Sequence, residues 1–143
     1  MTEAQATIRV HRVYDPPAPV DGYRVLVDRV WPHGVPERAA AWDEWCRDVA
    51  PSAELRRWYN HDPNRFDSFR ECYLAELDDP ARATALARLR AHVDARLTLL
   101  TATEHLSFSH ARILAERLCW GRAHSQPAVT YVHLDESGTS PRR

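Results

Sequence analysis

The chain has no excess of charge in either direction. Its 19 basic and 20 acidic residues leave a formal net charge of −1, so no overall field draws it to DNA, RNA or an anionic membrane. Nucleic acid is therefore not expected as a partner. Cysteine is scarce: Cys46, Cys72 and Cys119 are odd in number, far apart and without a Cys-x-x-Cys pair. This excludes a disulfide framework and a thiolate zinc site, and a reducing, cytoplasmic setting is expected. No apolar run approaches the roughly 20 residues of a membrane helix, and the first ten residues, MTEAQATIRV, lack a basic region followed by an apolar one. Neither export nor membrane insertion is expected. With only Gly22, Gly34, Gly121 and Gly138 there is no phosphate-binding glycine loop, and no Gly-x-Ser-x-Gly nucleophile turn exists.

What is present is one ordinary domain's worth of core: 143 residues, 44% of them hydrophobic. Residues 1–134 are expected to form a single α/β domain, and 135–143, polar and glycine-bearing, a disordered tail. Thr7 to Val13 alternates apolar and polar residues and reads as a strand. Pro16, Pro17 and Pro19 stiffen the loop that follows. Tyr23 to Val30 is a second strand, whose unbroken Val25, Leu26, Val27 core suits a parallel strand covered on both faces. The segment from Ala39 to Cys46 carries Trp42 and Trp45 and reads equally as a helix or an extended cover.

Helix starts are better marked. Ser52 after Pro51 caps a short helix through Tyr59, with Trp58 expected as its apolar anchor. Asp62-Pro63 and Asp79-Pro80 each place an acidic cap before proline at the first helical position. Behind them, Phe66, Phe69, Tyr73 and Leu77, then Leu86, Leu89 and Val93, recur at helical spacing and read as core. Arg96 to Ala102 is a third strand. Ser107 or Ser109 caps a last helix through Trp120, with His110 expected at its third position if Ser107 is the cap. Ala128 to Leu134 is a fourth strand. This alternation implies a layered α/β sheet of about four mostly parallel strands with helices packed on it.

In such sheets, ligands sit at the carboxyl ends of the strands, where Asp28, Arg29, Trp31 and His33 follow the second strand. Three stretches, VYDPPAPVDGYRVLVDRVWPHGV, DEWCRDVAPSAELRRWYNHDPNRFDSFRECYLAEL and LTLLTATEHLSFSHARIL, resemble the YeaO-like family, domain of unknown function 488, in order over most of residues 8–118. The ending, SHARILAERL and then VTYVHL, is similar to the longer branch of that family. The resemblance implies an α/β fold and a bacterial, cytoplasmic protein, and brings no substrate or reaction. The chain departs from the usual family residues at His33 (arginine), Thr101 (tyrosine) and Ser109 (asparagine). Exchanging a guanidinium for an imidazole changes both anion affinity and available chemistry, so an activity of the commoner members is expected to be altered or absent.

The first functional expectation is an enzyme or ligand-binding domain for a small polar or anionic molecule. It lies between the Trp31 to Gly34 turn and the start of the last helix. Arg29 neutralises the anion, and Trp31 forms a wall. Ser107 or Ser109 adds hydrogen bonds, His61 lines the site, His110 or His33 moves a proton, and Asp28 orients its partner. Each has a plainer reading: an ion pair for Asp28 and Arg29, core for Trp31, and solvent-facing loops for His33 and His61. The second expectation draws on eight histidines. His33, His61 and His110 are candidate ligands for a transition metal, or one of them for haem against walls from Trp31, Trp42 or Trp120. A third is a regulator or adaptor that binds DNA or protein through Arg-rich helix faces such as Arg82, Arg88 and Arg90, although such faces are usually just solvated. Nothing in the sequence defines an oligomeric state.

Overall fold

A computed structural model describes residues 8–93, 95–120 and 129–131. The five residues of β4 (Leu97–Thr101) are all buried and form the middle of the sheet. β1 (Ile8–Arg12) and β2 (Tyr23–Leu26) flank it, with Val10 opposite Leu99 and Val25 opposite the same residue on the other side. Short β3 (Glu44–Trp45) extends one edge and β5 (Val129–Tyr131) the other, giving the order β3-β2-β4-β1-β5, parallel throughout. The four expected strands are all there, and β3 adds a fifth within the tryptophan segment that reads ambiguously in sequence. The fourth expected strand is described only over Val129–Tyr131, and the 135–143 tail lies outside the described residues.

Side-chain alternation divides the sheet into two different faces. Ile8, Val10, Val25, Leu97 and Leu99 join one core with the inward residues of α1 (Ala53–Tyr59), α2 (Phe66–Glu76), α3 (Pro80–Arg90) and α4 (His110–Trp120). The helical stripes read from sequence are those that are buried: Phe66, Phe69, Tyr73 and Leu77, then Leu86, Leu89 and Val93. Tyr73 is wholly buried, its hydroxyl donates to Val49 O, and burial holds its pKa well above the ordinary range. The opposite face carries a smaller cluster of Val13, Leu26 and Leu100, covered by Trp42 and Trp45.

The helix caps follow the sequence in part. Ser52 Oγ accepts from Leu55 N at 3.1 Å and donates to Glu76 Oε2 at 2.6 Å, while Ser52 N donates to Glu76 Oε1 at 2.8 Å. Glu76 thereby ties the start of α1 to the end of α2. Ser52→Ala is expected to cost about 1.5 kcal/mol, through the lost cap and a carboxylate left with one donor fewer. A denaturant-midpoint change without a change in slope is the measurement. In α1, Leu55 and Tyr59 point inward four residues apart, whereas Trp58 is 44% exposed and stacks under Arg65 instead. Trp58 is thus not the anchor. A seven-residue helix has a single narrow inward stripe, and Leu55 and Tyr59 occupy it.

A polar cluster is buried against the second face. Asp21 accepts from Ala18 N at 3.0 Å and from Arg24 Nη1, with Arg9 Nη1 3.7 Å and His11 Nε2 4.0 Å from its other oxygen. Both His11 ring nitrogens are buried without a hydrogen-bond partner, and burial pushes the imidazole below its ordinary 6.5 despite Asp21 nearby. In the window between the lowered folded value and 6.5, the unfolded chain binds more protons. Stability is therefore complete above that window and falls as pH descends through it. His11→Gln is expected to remove this part of the acid sensitivity, which urea titrations across the window would show as a shallower loss.

Candidate functional site

The chain leaves β2 toward β3 at one edge and leaves β4 toward α4 and β5 at the other. The carboxyl ends of β2 and β4 are therefore a topological switch point, where a crevice opens. A cavity of about 620 Å³ lies there, of the size that takes a small molecule. Asp28, Arg29, Trp31 and His33 line it from the segment after β2, and Ala102 and Thr103 from the end of β4. Ser109 and His110 enter from the start of α4, and Arg56, Arg57, Asn60 and His61 from α1 and the residues after it.

At its floor, Val27 N still pairs with Leu100 O at 3.0 Å, but β3 reaches only as far as Cys46 N on Leu26 O. The Val27 carbonyl has no strand partner and lies 3.0 Å from His110 Nε2. Asp28 Oδ2 accepts from Ala102 N at 2.8 Å, and Oδ1 lies 3.4 Å from the same imidazole nitrogen, buried and without a hydrogen bond of its own. Main chain thus holds Asp28 from one side while the carboxylate draws on His110 from the other. Tyr73 meets the His110 ring edge-on at 5.9 Å.

The walls are aromatic and fixed. Tyr59 stacks on Phe69 at 4.0 Å, and its hydroxyl donates to Phe108 O at 2.7 Å. Burial pushes its pKa up to about 12. Trp31 donates to Val35 O and packs edge-on against Trp42 and Trp45, whose indole in turn donates to Asp28 O. Tyr14 donates to His33 O at 2.9 Å, joining the proline loop to the Trp31 to Gly34 turn. Asn60 and His61 both have left-handed backbone, φ 47° and 54°, a conformation that asparagine and histidine tolerate better than most. That turn closes α1 and puts His61 on the wall between this cavity and a neighbouring one of about 340 Å³.

The structure therefore brings Asp28, Arg29, Trp31, His33, His61, Ser109 and His110 to one cavity, and leaves Ser107 outside its lining. Ser109 is the serine that caps: its Oγ accepts from Arg112 N at 3.3 Å and donates to Leu106 O at 2.8 Å. His110 is consequently the first residue of α4, not the third. Ser107 sits in a preceding 3-10 turn, Leu106–Phe108, where its carbonyl accepts from Arg112. Thr101 is buried and bonded to Thr103, which lines the cavity.

Of the metal and haem candidates, His33, His61 and His110 share the cavity. Among the described residues, however, no three His, Cys, Asp or Glu side chains are disposed to hold a metal ion. His33 and His61 stand on exposed turns, and the hydrogen-bonded Nε2 of His110 is already engaged. Trp31 and Trp42 pack on each other rather than facing across an open slot, and the Trp120 side chain lies outside the described residues. The α3 arginines are also engaged internally: Arg82 on Ala50 O and Asp79, Arg88 on Glu44, and Arg90 on Arg117 O. Among the described residues no helix is long and apolar enough to cross a membrane.

Sequence reasoning missed Tyr14, Arg56, Arg57 and Thr103. The signal for the two arginines was available: once Leu55 and Tyr59 are taken as the inward pair of α1, positions 56 and 57 must turn outward, toward the strand ends.

These features define a parallel α/β protein with a ligand-sized cleft at the switch point of its sheet. A family described as "Inactive DUF488-N3 subclade" matches residues 7–131, and the chain belongs to this DUF488 family. It is 47% identical over 114 residues to uncharacterized protein Rv3073c of Mycobacterium tuberculosis strain H37Rv, covering 80% of this chain and 95% of that one. To uncharacterized protein YeaO of Escherichia coli K12 it is 39% identical over 115 residues, covering 78% and 96%. No solved structure matches.

Proposed function

We propose that this chain is an anion-binding α/β domain that holds a small polar or anionic molecule in the switch-point cleft, and that binding rather than turnover is its task. One observation carries this reading. Eight described arginines lie within ion-pair distance of a carboxylate, whereas Arg29, Arg56 and Arg57, all exposed and all lining the cleft, have no ion-pair or side-chain hydrogen-bond partner among the described residues. Against these three cations stands one lining carboxylate among the described residues, Asp28. In a chain of near-zero net charge, that is a local excess suited to an anion. All 19 of its basic residues are arginine, the side chain that grips carboxylates and phosphates through two parallel hydrogen bonds.

The absence of turnover is supported by what the cleft offers as nucleophiles. Among the described residues no cysteine lines it, and the hydroxyls of Tyr14, Tyr59, Thr103 and Ser109 all have protein partners. The description of the matching family as inactive points the same way, as does the departure at His33. The odd number and wide spacing of Cys46, Cys72 and Cys119 in the sequence support a cytoplasmic setting.

The test is calorimetric and thermal-shift titration of the protein with inorganic phosphate, pyrophosphate and citrate at low and high salt. Saturable binding that raises the melting temperature and weakens with salt is expected, with the anion recovered unchanged. No binding of any of the three would overturn the reading.

A further inference from the structure

His110 meets the cleft with its two ring nitrogens in different states. Nε2 lies 3.0 Å from Val27 O, and a carbonyl oxygen only accepts, so Nε2 must carry a hydrogen. Asp28 Oδ1, 3.4 Å away, strengthens that preference, and Ala102 N holds the carboxylate in place for it. Nδ1 has no hydrogen-bond partner among the described residues and is not among the buried polar atoms cut off from solvent. A neutral imidazole with its hydrogen fixed on one nitrogen is an acceptor at the other.

We propose that His110 Nδ1 accepts a hydrogen bond from a hydroxyl of the ligand, so that the cleft selects hydroxylated anions: phosphate esters or carboxylates that also carry an alcohol. The charged group sits on Arg29, Arg56 and Arg57, the alcohol donates to His110, and Asp28 is a positioning residue that acts through the imidazole. This rests on the anion-cleft reading above. A site built to meet a hydroxyl discriminates strongly against an analogue that lacks it, because the analogue leaves a desolvated acceptor unpaired. Ser109 is less suited to this contact: it is 2% exposed, and its hydroxyl both accepts from Arg112 N and donates to Leu106 O.

The experiment compares two matched pairs by calorimetry at about pH 8, above the ordinary titration range of imidazole. The pairs are glycerol 3-phosphate against propyl phosphate, and glycerate against propionate. At least one hydroxylated member is expected to bind about tenfold tighter than its partner, and His110→Phe to erase the preference. Nitrogen-15 spectra of the wild-type imidazole read the hydrogen position without any substitution, and a protonated Nε2 with a bare Nδ1 is expected. Anion binding with no preference in either pair, or a hydrogen found on Nδ1, overturns the inference and leaves the anion cleft standing. Failure of all four probes to bind, where phosphate, pyrophosphate or citrate does bind, likewise overturns the inference alone, and only failure of those three anions as well removes both.

Discussion

Gly22→Ala is expected to destabilise the protein by about 4 kcal/mol, a large part of the roughly 5–15 kcal/mol that holds a domain of this size folded. Gly22 precedes β2 with φ 67° and ψ −132°, a region that residues with a Cβ essentially do not enter. The space is closed as well. An added Cβ would meet Arg96 Cβ and come within 2.5 Å of Arg96 O. That carbonyl cannot retreat, because it accepts from Tyr23 N at 2.9 Å and so begins the pairing of β2 with β4. Relief of the clash must shift the register of the strand that carries Asp28 to the cleft. Chemical denaturation with a reversible probe would measure the loss, and a change under about 1 kcal/mol would show that the loop accommodates what the geometry forbids.

The second large effect concerns ligand affinity. Arg56→Ala with Arg57→Ala is expected to weaken anion binding about 100-fold, which at 1.4 kcal/mol per tenfold is about 2.8 kcal/mol. Two charge-assisted hydrogen-bonding groups in a partly open cleft are of that order. Both side chains are exposed and without ion pairs, so folding should be untouched, and removing two of three like charges at the cleft should if anything raise the melting temperature slightly. This combination separates a binding role from a structural one. Replacing Arg70 instead, which pairs with Glu116 between α2 and α4, should do the reverse: a small stability loss and unchanged affinity. If the double substitution left affinity for phosphate or citrate within about threefold, the arginines would be solvated surface and not a binding wall.

Much of this molecule is legible before any coordinates. The Phe66-Phe69-Tyr73-Leu77 stripe and the unbroken Val25-Leu26-Val27 run each state a local preference that the packed structure satisfies; the two Asp-Pro starts hold in part, since Asp62 caps a 3-10 turn, Pro63–Arg65, ahead of α2, and Asp79 precedes α3 without a side-chain cap bond. The strand-end position of Asp28, Arg29, Trp31 and His33 is legible too, because an α/β alternation assigns ligands to that edge of the sheet. Local signals mislead where two residues compete for one role. Ser107 and Ser109 are both plausible caps, and only the loop's path from Thr101 decides that Ser109 bonds Arg112 N. Trp58 outweighs Tyr59 in bulk, yet only Tyr59 falls on the stripe that faces Phe69.

Sequence alone determined the class of fold, the strands and helices with strong periodicity, and the placing of Asp28, Arg29, Trp31 and His33 after the second strand. These are short-range properties, written in spacing and residue type. Tertiary structure decided that β4 inserts between β1 and β2, so that residues 28–33, 102–103 and 109–110, separated by some eighty positions, surround one cavity. It also decided which arginines are neutralised and which are not. Charge balance at a point depends on which carboxylates come within a few ångströms, and chain closure over long separations, not local pattern, sets those distances.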